Sequence, residues 1–136
     1  MVRDQSVFLS DGAGGKWVYY DSNGHMVKGE YYQNGFWYYY DMETGKRATG
    51  FVYLKNGDKW VYYDNNGHMQ YGEQYINGNW YRFDDVTGKM VHGEYISPEG
   101  NKYYYDDTTG IMYHGWKTMT DGSRRYYDDV TGILQE

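Results

Sequence analysis

Aromatic residues are the most abundant residues of this chain that could bind a ligand through their side chains. Of its 136 residues, 20 are tyrosine, 5 are tryptophan and 4 are phenylalanine. Flat aromatic rings bind ligands by stacking on the C–H faces of sugar rings, and several rings together enclose a quaternary ammonium by cation–π attraction. A desolvated cation–π contact contributes about 2 kcal/mol, so a cage of two or three rings gives weak to moderate affinity.

The acidic and basic side chains do not form a catalytic pattern. Glu30, Glu73 and Glu94 each follow a glycine and so recur at one position of a repeat. The paired carboxylates of a glycosidase instead occupy one asymmetric site. The four histidines lie neither at metal-ligand spacing nor beside a nucleophile with an orienting acid. We therefore predict a protein that is not an enzyme and that carries no metal or cofactor.

A short aromatic run that ends in aspartate and is followed by a glycine occurs six times. The six aspartates are Asp21, Asp41, Asp64, Asp84, Asp106 and Asp128. The steps between them are 20, 23, 20, 22 and 22 residues, which is too short for one unit to fold alone.

A glycine-containing dipeptide precedes each run and predicts a two-residue hairpin turn. These dipeptides are Gly14-Gly15, Asn34-Gly35, Asn56-Gly57, Asn77-Gly78, Glu99-Gly100 and Asp121-Gly122. Each aromatic run is then the second strand of a β-hairpin. Because an isolated hairpin is only marginally stable in water, the hairpins must pack on one another in series. The sequence predicts an all-β fold, a repeat β-solenoid of about six stacked β-hairpins.

Alternation along the runs separates a core face from a ligand face. The residue before the aspartate is aromatic in all six runs, which indicates core. The opposite face begins with tryptophan in four runs, but Lys102 and Arg124 take that position in the last two. We expect those two hairpins to be mainly structural and the ligand sites to fade there. The predicted ligand contacts are Trp17, Trp37, Tyr39, Phe51, Trp60, Tyr62, Trp80 and Trp116.

Composition excludes several other classes of protein. The net charge is −6 and no run of Lys or Arg exceeds Arg124-Arg125, so nucleic acid is not an expected partner. No apolar stretch approaches 18 residues, and the chain shows no signal peptide. We interpret residues 1–12 as an N-terminal tail or partial repeat, and residues 13–136 as the repeat domain of a longer secreted, cell-surface or phage-lysin protein.

The repeat resembles the bacterial cell-wall-binding repeat superfamily, which includes choline-binding and glucan-binding repeats. Gly35-Phe36-Trp37-Tyr38-Tyr39 and Gly78-Asn79-Trp80-Tyr81 match the centre of its unit. Gly24-His25-Met26, Gly67-His68-Met69 and Gly88-Lys89-Met90 match the end. The resemblance covers about residues 14–136. It implies a left-handed solenoid that anchors a covalently linked catalytic or adhesive domain to the bacterial envelope, with sites between successive hairpins.

The resemblance leaves three functions open. Choline-binding members place tryptophan both after the glycine that opens a hairpin and in the aromatic run. Here the first of these positions is aromatic only at Phe51 and Trp116. Wall polysaccharide or glucan, bound by the exposed aromatics, is therefore our first hypothesis, and choline-decorated teichoic acid is the second. The third is a protein–protein module without a sugar ligand, for example a homodimer formed through terminal hairpins.

Overall fold

The structure is a computed structural model that describes residues 2–10, 12 and 14–136, and its described residues form strands and turns without a helix. Twelve strands pair as six antiparallel hairpins, hairpin 1 to hairpin 6. In order, the hairpins are β1(Gln5–Leu9) with β2(Lys16–Tyr20), β3(Gly29–Gln33) with β4(Phe36–Tyr40), β5(Gly50–Leu54) with β6(Lys59–Tyr63), β7(Gly72–Ile76) with β8(Asn79–Phe83), β9(Gly93–Ile96) with β10(Lys102–Tyr105), and β11(Gly115–Thr118) with β12(Arg124–Tyr127). The predicted all-β fold of repeated hairpins is confirmed.

The hairpins group into two compact units. Hairpins 1 to 3 belong to the unit that ends at Gln70, and hairpins 4 to 6 belong to the unit Tyr71–Glu136. The short strand β13(Leu134–Gln135) pairs with β12 and makes the last hairpin three-stranded. Within the described part of the chain, no helix is long and apolar enough to cross a membrane.

The segment interpreted as a tail or partial repeat contributes a strand. Gln5–Leu9 pairs along its whole length with Lys16–Tyr20 and supplies the first strand of hairpin 1. Sequence comparison with the other repeats did not locate this strand, because it opens with Gln5-Ser6 where later hairpins have glycine followed by glutamate or an aromatic residue.

The hairpin tips differ in length, which corrects the prediction of a uniform two-residue turn. Only hairpins 2 and 4 have it, with positive φ at Asn34-Gly35 (54° and 85°) and Asn77-Gly78 (52° and 87°). In hairpin 3, Leu54 pairs with Lys59 and the loop between them has four residues. In hairpins 5 and 6 an added bond, such as Ser97 N–H to Asn101 O at 2.8 Å, leaves three-residue loops that end in glycine.

The repeated aspartate fixes the turn after each hairpin. In hairpin 2, one carboxylate oxygen of Asp41 accepts hydrogen bonds from the N–H groups of Glu43 and Thr44, both at 2.9 Å. Equivalent bonds occur at the aspartates of the other five hairpins. Backbone donors lower the pKa of Asp21, Asp41, Asp106 and Asp128 below the usual aspartate value.

After hairpins 2, 3 and 5 the chain turns, runs back along its own hairpin and also bonds to the preceding one. Met112 forms a bridge with Tyr105 of its own hairpin, and its N–H donates to the carbonyl of Trp80 in the hairpin before at 2.9 Å. Arg47 donates in the same way to Trp17 at 2.8 Å, and Met69 donates to Trp37 at 3.0 Å. We call this position, at Met26, Arg47, Met69, Met90 and Met112, the joint residue.

The side chain of the joint residue packs on the turn glycine of the next hairpin. A Cβ added to Gly110 would lie 2.5 Å from the sulfur of Met90, and one added to Gly132 would lie 2.5 Å from that of Met112. Arg47 covers Gly67 in the same manner, with Cδ 2.7 Å from the added Cβ. Glycine is therefore favoured there for two reasons: φ is positive, and an added Cβ would clash with the side chain of the joint residue.

The aromatic residue before the aspartate is the core residue of its hairpin. Tyr40, Tyr63, Phe83, Tyr105 and Tyr127 are at most 1% exposed, as the sequence predicted. Tyr20 of hairpin 1 is half-buried and is the exception. Burial raises the pKa of Tyr40 and of Tyr105 to about 12, so both phenols are neutral at physiological pH.

Replacing Gly110 by alanine tests the joint. Gly122 has a similar positive φ but nothing within 4 Å of an added Cβ, so Gly122→Ala measures the backbone strain alone, about 1 kcal/mol. Gly110→Ala adds the clash with Met90 and should lower the free energy of unfolding by a further ~1–3 kcal/mol. Urea unfolding followed by circular dichroism measures both variants. Equal losses would show that Met90 does not clamp this turn.

The turn aspartates predict acid sensitivity. The folded pKa values of Asp21, Asp41, Asp106 and Asp128 lie below the ordinary 3.8, so these four aspartates stabilise the fold above that pH and lose this contribution as the pH falls through the folded values. The free energy of unfolding should decrease between about pH 5 and pH 2, and less steeply in Asp128→Asn than in the parent. Asp85→Asn, at the exposed position that follows the turn aspartate of hairpin 4, is the control. Parallel pH profiles for parent and Asp128→Asn would contradict the prediction.

Candidate functional site

Each of the four tryptophans in the aromatic runs faces an aromatic residue across its hairpin. The pairs are Phe8–Trp17, Tyr32–Trp37, Tyr53–Trp60 and Tyr75–Trp80, with ring centroids 5.4, 5.2, 5.5 and 4.9 Å apart. Trp17, Trp37 and Trp60 are 42%, 39% and 43% exposed, so their rings are available to a ligand. We call these the tip pairs.

Both members of the tip pair are lost together in the last two hairpins. Lys102 pairs with Ile96 in hairpin 5, and Arg124 pairs with Thr118 in hairpin 6. Burial of the core tyrosines Tyr105 and Tyr127 is unaffected. The tip pair is therefore not needed to close a hairpin, which is the property expected of a binding surface.

The same face carries a second pair nearer the base of each hairpin. It is Phe51 with Tyr62 in hairpin 3, at 4.9 Å, and Glu30 with Tyr39 in hairpin 2. Phe51 therefore lies diagonally from Trp60 rather than opposite it. Hairpin 3 has aromatic residues at all four positions of this face, and hairpin 2 has them at three.

A cleft of about 520 Å³ lies between the base of hairpin 2 and the tip of hairpin 3. It is lined by Glu30, Tyr39 and Met42 from the first hairpin and its turn, and by Tyr53 and Lys55 with their neighbours from the second. Glu30 makes no ion pair with a described residue. We call this space cleft A.

A second cleft, of about 300 Å³, lies within the unit formed by hairpins 4 to 6. Its lining includes Glu73 and Trp80 of hairpin 4, Tyr103 of hairpin 5, and the joint residue Met112. The Glu73 carboxylate lies 3.8 Å from the Arg82 guanidinium, so its charge is partly compensated. This space is cleft B. Each cleft thus combines one carboxylate, two aromatic rings and one methionine.

Cations of the chain itself cover several other aromatic rings. Arg124 lies 4.7 Å from the ring centre of Trp116, and Arg82 lies 4.4 Å from that of Tyr95. Lys117 is 4.5 Å from Tyr104 and 4.6 Å from Tyr113. Because these rings already make cation–π contacts, they offer less to a cationic ligand than the rings of clefts A and B.

Hairpin 1 differs from the prediction that one whole face is open. Tyr19, on the same face as Trp17, is only 3% exposed because it packs with Val27, Tyr31 and Tyr40. Trp17 itself is exposed, but the guanidinium carbon of Arg47 lies 5.3 Å from its ring centre.

The predicted site residues fall into four environments. Tyr39 lines cleft A and Trp80 lines cleft B; Trp37 and Trp60 are exposed members of tip pairs. Phe51 and Tyr62 are half-buried against each other, whereas Trp17 and Trp116 carry an arginine.

Sequence reasoning missed the residues that face the tryptophans and complete the clefts. Counting outward from the Asn34-Gly35 turn pairs Tyr32 with Trp37, so register could have revealed that partner. The contributions of Met42 and Tyr103 depend on packing between hairpins. Across the described residues, no group of three or more His, Asp or Glu side chains could hold a metal ion.

The chain has clear structural relatives. Choline-binding protein F from Streptococcus pneumoniae is 34% identical with a TM-score of 0.83, over 94% of this chain and 41% of that protein. A pneumococcal cell-wall endolysin from phage Cp-1, complexed with choline, is 25% identical with a TM-score of 0.61, over 96% and 37%. An alternansucrase in complex with isomaltononaose shares the fold, at 24% identity and a TM-score of 0.52, over 98% and 12%.

These relatives are longer than the chain, which spans about two fifths of the two pneumococcal proteins. No curated protein sequence matches it significantly. The family model for the choline-binding repeat matches residues 11–51 and 54–95, which is more than half of the sequence. By its repeated hairpins, its aromatic faces and this match, the chain belongs to the choline-binding repeat family.

Proposed function

We propose that the chain is a non-catalytic cell-wall-binding module that binds the quaternary ammonium of choline on wall polymers in clefts A and B. The observation that carries the proposal is the shared make-up of the two clefts. Each presents two aromatic rings, a methionine and a carboxylate to a space of about 520 or 300 Å³. That size range is typical of small-molecule sites.

The chemistry of the clefts favours a cation over a neutral sugar. Aromatic rings attract a quaternary ammonium through their negative faces, and methionine adapts its shape to methyl groups. Choline-binding repeats commonly use tryptophan at the position that follows the opening glycine. Glu30 and Glu73 stand there instead, and each supplies negative charge to the bound cation, although that of Glu73 is partly compensated by Arg82.

Two clefts on one chain would act together on a polymer that carries many choline groups. After one site binds, the second ligand is at high effective concentration, so the polymer binds more tightly than free choline. The chain spans only part of its structural relatives, among them endolysins described as multimodular. In a longer secreted or surface protein, the module would anchor a linked catalytic or adhesive domain to the bacterial envelope.

A second candidate ligand is wall polysaccharide or glucan, bound by the tip pairs. The exposed rings of Tyr32 and Trp37 are flat apolar surfaces outside cleft A, and those of Tyr53 and Trp60 are flat apolar surfaces at its rim. Such surfaces suit the C–H faces of sugars rather than a charged group. The two modes are compatible, because a polymer with choline substituents also presents sugar rings.

Glutamine substitutions should rank the choline sites. Glu30 makes no ion pair, Glu73 is 3.8 Å from Arg82, and Glu94, at the same repeat position, is paired with Arg125 at 3.1 Å. Glu30→Gln should weaken choline binding to its cleft about tenfold, which corresponds to ~1.4 kcal/mol. Glu73→Gln should have a smaller effect, and the control Glu94→Gln none. Calorimetric titration with choline measures the three affinities, and identical behaviour of the three variants would contradict the proposed sites.

Trp60→Ala should separate sugar binding from choline binding. Losing one stacking ring of the tip pair removes about 1 kcal/mol, so retention on wall polysaccharide should fall about fivefold while choline affinity in the clefts is kept. Trp116→Ala, which removes an equally large ring already covered by Arg124, is the matched control. Affinity electrophoresis gives the retention, and circular dichroism checks that the sheet is intact.

Two further outcomes of the Trp60 experiment identify a different role. Unfolding of Trp60→Ala would show that the ring is structural rather than a ligand contact. Sedimentation of the parent chain tests the protein–protein alternative: a dimer that persists without choline or sugar, together with no binding of either ligand, would favour an oligomerisation module.

A further inference from the structure

The environment of Trp17 shares its backbone bond and its aromatic rings with that of Trp80. Both tryptophan carbonyls accept a hydrogen bond from the N–H of a joint residue, which is Met112 for Trp80 and Arg47 for Trp17. Tyr103 in cleft B is two residues before the core tyrosine of hairpin 5, and Tyr38 has the same place in hairpin 2. Hairpin 1 therefore has the aromatic parts of cleft B, but it has Arg47 where cleft B has Met112, and Ser6 where cleft B has Glu73.

Aromatic rings rather than carboxylates surround the charge of Arg47. Its guanidinium carbon lies 5.3 Å from the Trp17 ring centre, and it forms no ion pair with a described residue. The Nε atom is buried without a hydrogen-bond partner in the structure. Burial raises the pKa of Tyr38, and the positive charge of Arg47 opposes that rise.

We propose that Arg47 is a built-in cation that occupies the ligand position of hairpin 1 and so removes one choline site from the chain. Given the proposed function, the same rings that would bind a quaternary ammonium are held by a side chain of the protein. The residue is a specificity determinant, because its identity decides whether the rings of Trp17 and Tyr38 face a ligand or a guanidinium.

The fold tolerates a neutral residue at this position. Methionine is the joint residue at four of the five positions, and Met26, Met90 and Met112 pack on the next turn glycine as Arg47 packs on Gly67. The backbone bond from residue 47 to Trp17 does not involve the side chain. Arg47→Met should therefore keep the hairpins in place and expose the Trp17 ring.

Calorimetric titration with choline as the probe tests the proposal. Arg47→Met should bind one more choline per chain than the parent, and Trp17→Ala/Arg47→Met should lose the added site. Lys46→Met removes a positive charge from the adjacent exposed position and should leave the stoichiometry unchanged. Arg47→Gln is a second neutral variant, in case the methionine variant does not fold by circular dichroism.

The outcomes separate this inference from the proposed function. Gain of one site in a folded Arg47→Met or Arg47→Gln, and its loss in the double variant, supports the inference even if the parent binds no choline, in which case the proposed function fails alone. An unchanged stoichiometry in the folded neutral variants overturns the inference, whether or not the parent binds choline through clefts A and B.

Discussion

The contact between a joint residue and the next turn glycine is the constraint on which the structure depends. A single two-stranded hairpin is marginal in water, so each one must be held by its neighbour. The backbone bond from Met112 to Trp80 sets the register between hairpins 4 and 5, and the Met112 side chain on Gly132 sets the separation of hairpins 5 and 6. The aspartate-capped turn makes both possible, because it presents the glycine at a fixed place after every hairpin.

This constraint also determines where ligands can bind. The core aromatic of each hairpin is committed to packing, which leaves the opposite face to vary from repeat to repeat. Where that face keeps Glu30 and Tyr39 beside the tip of the next hairpin, it forms a cleft with charge and rings together. Where that face has Arg124, the ring of Trp116 makes a cation–π contact with this arginine of the chain itself. Residue changes on this one face thus give candidate sites of different charge and aromatic content on the same set of hairpins.

Much of the fold follows from local sequence chemistry, whereas the sites depend on register. The aspartate spacing and the Asn34-Gly35 turn specify hairpins without any tertiary information. The loop after Leu54 could not be predicted, because its length depends on where strand pairing begins rather than on its Asn-Gly dipeptide. The clefts could not be predicted either, since Met42 and Tyr103 reach them from elements that the sequence separates from Glu30 and Trp80.

The backbone half of the joint has a consequence for how such chains diversify. Because an arginine and a methionine make the same backbone bond to a tryptophan carbonyl, the hydrogen bonding between hairpins is the same with either residue. Duplication of hairpins can lengthen the array while point substitutions at its joints and tips adjust its valency. Length and adhesive strength are then separately heritable properties, and a repeat that no longer binds remains useful as a spacer that sets the reach between those that do.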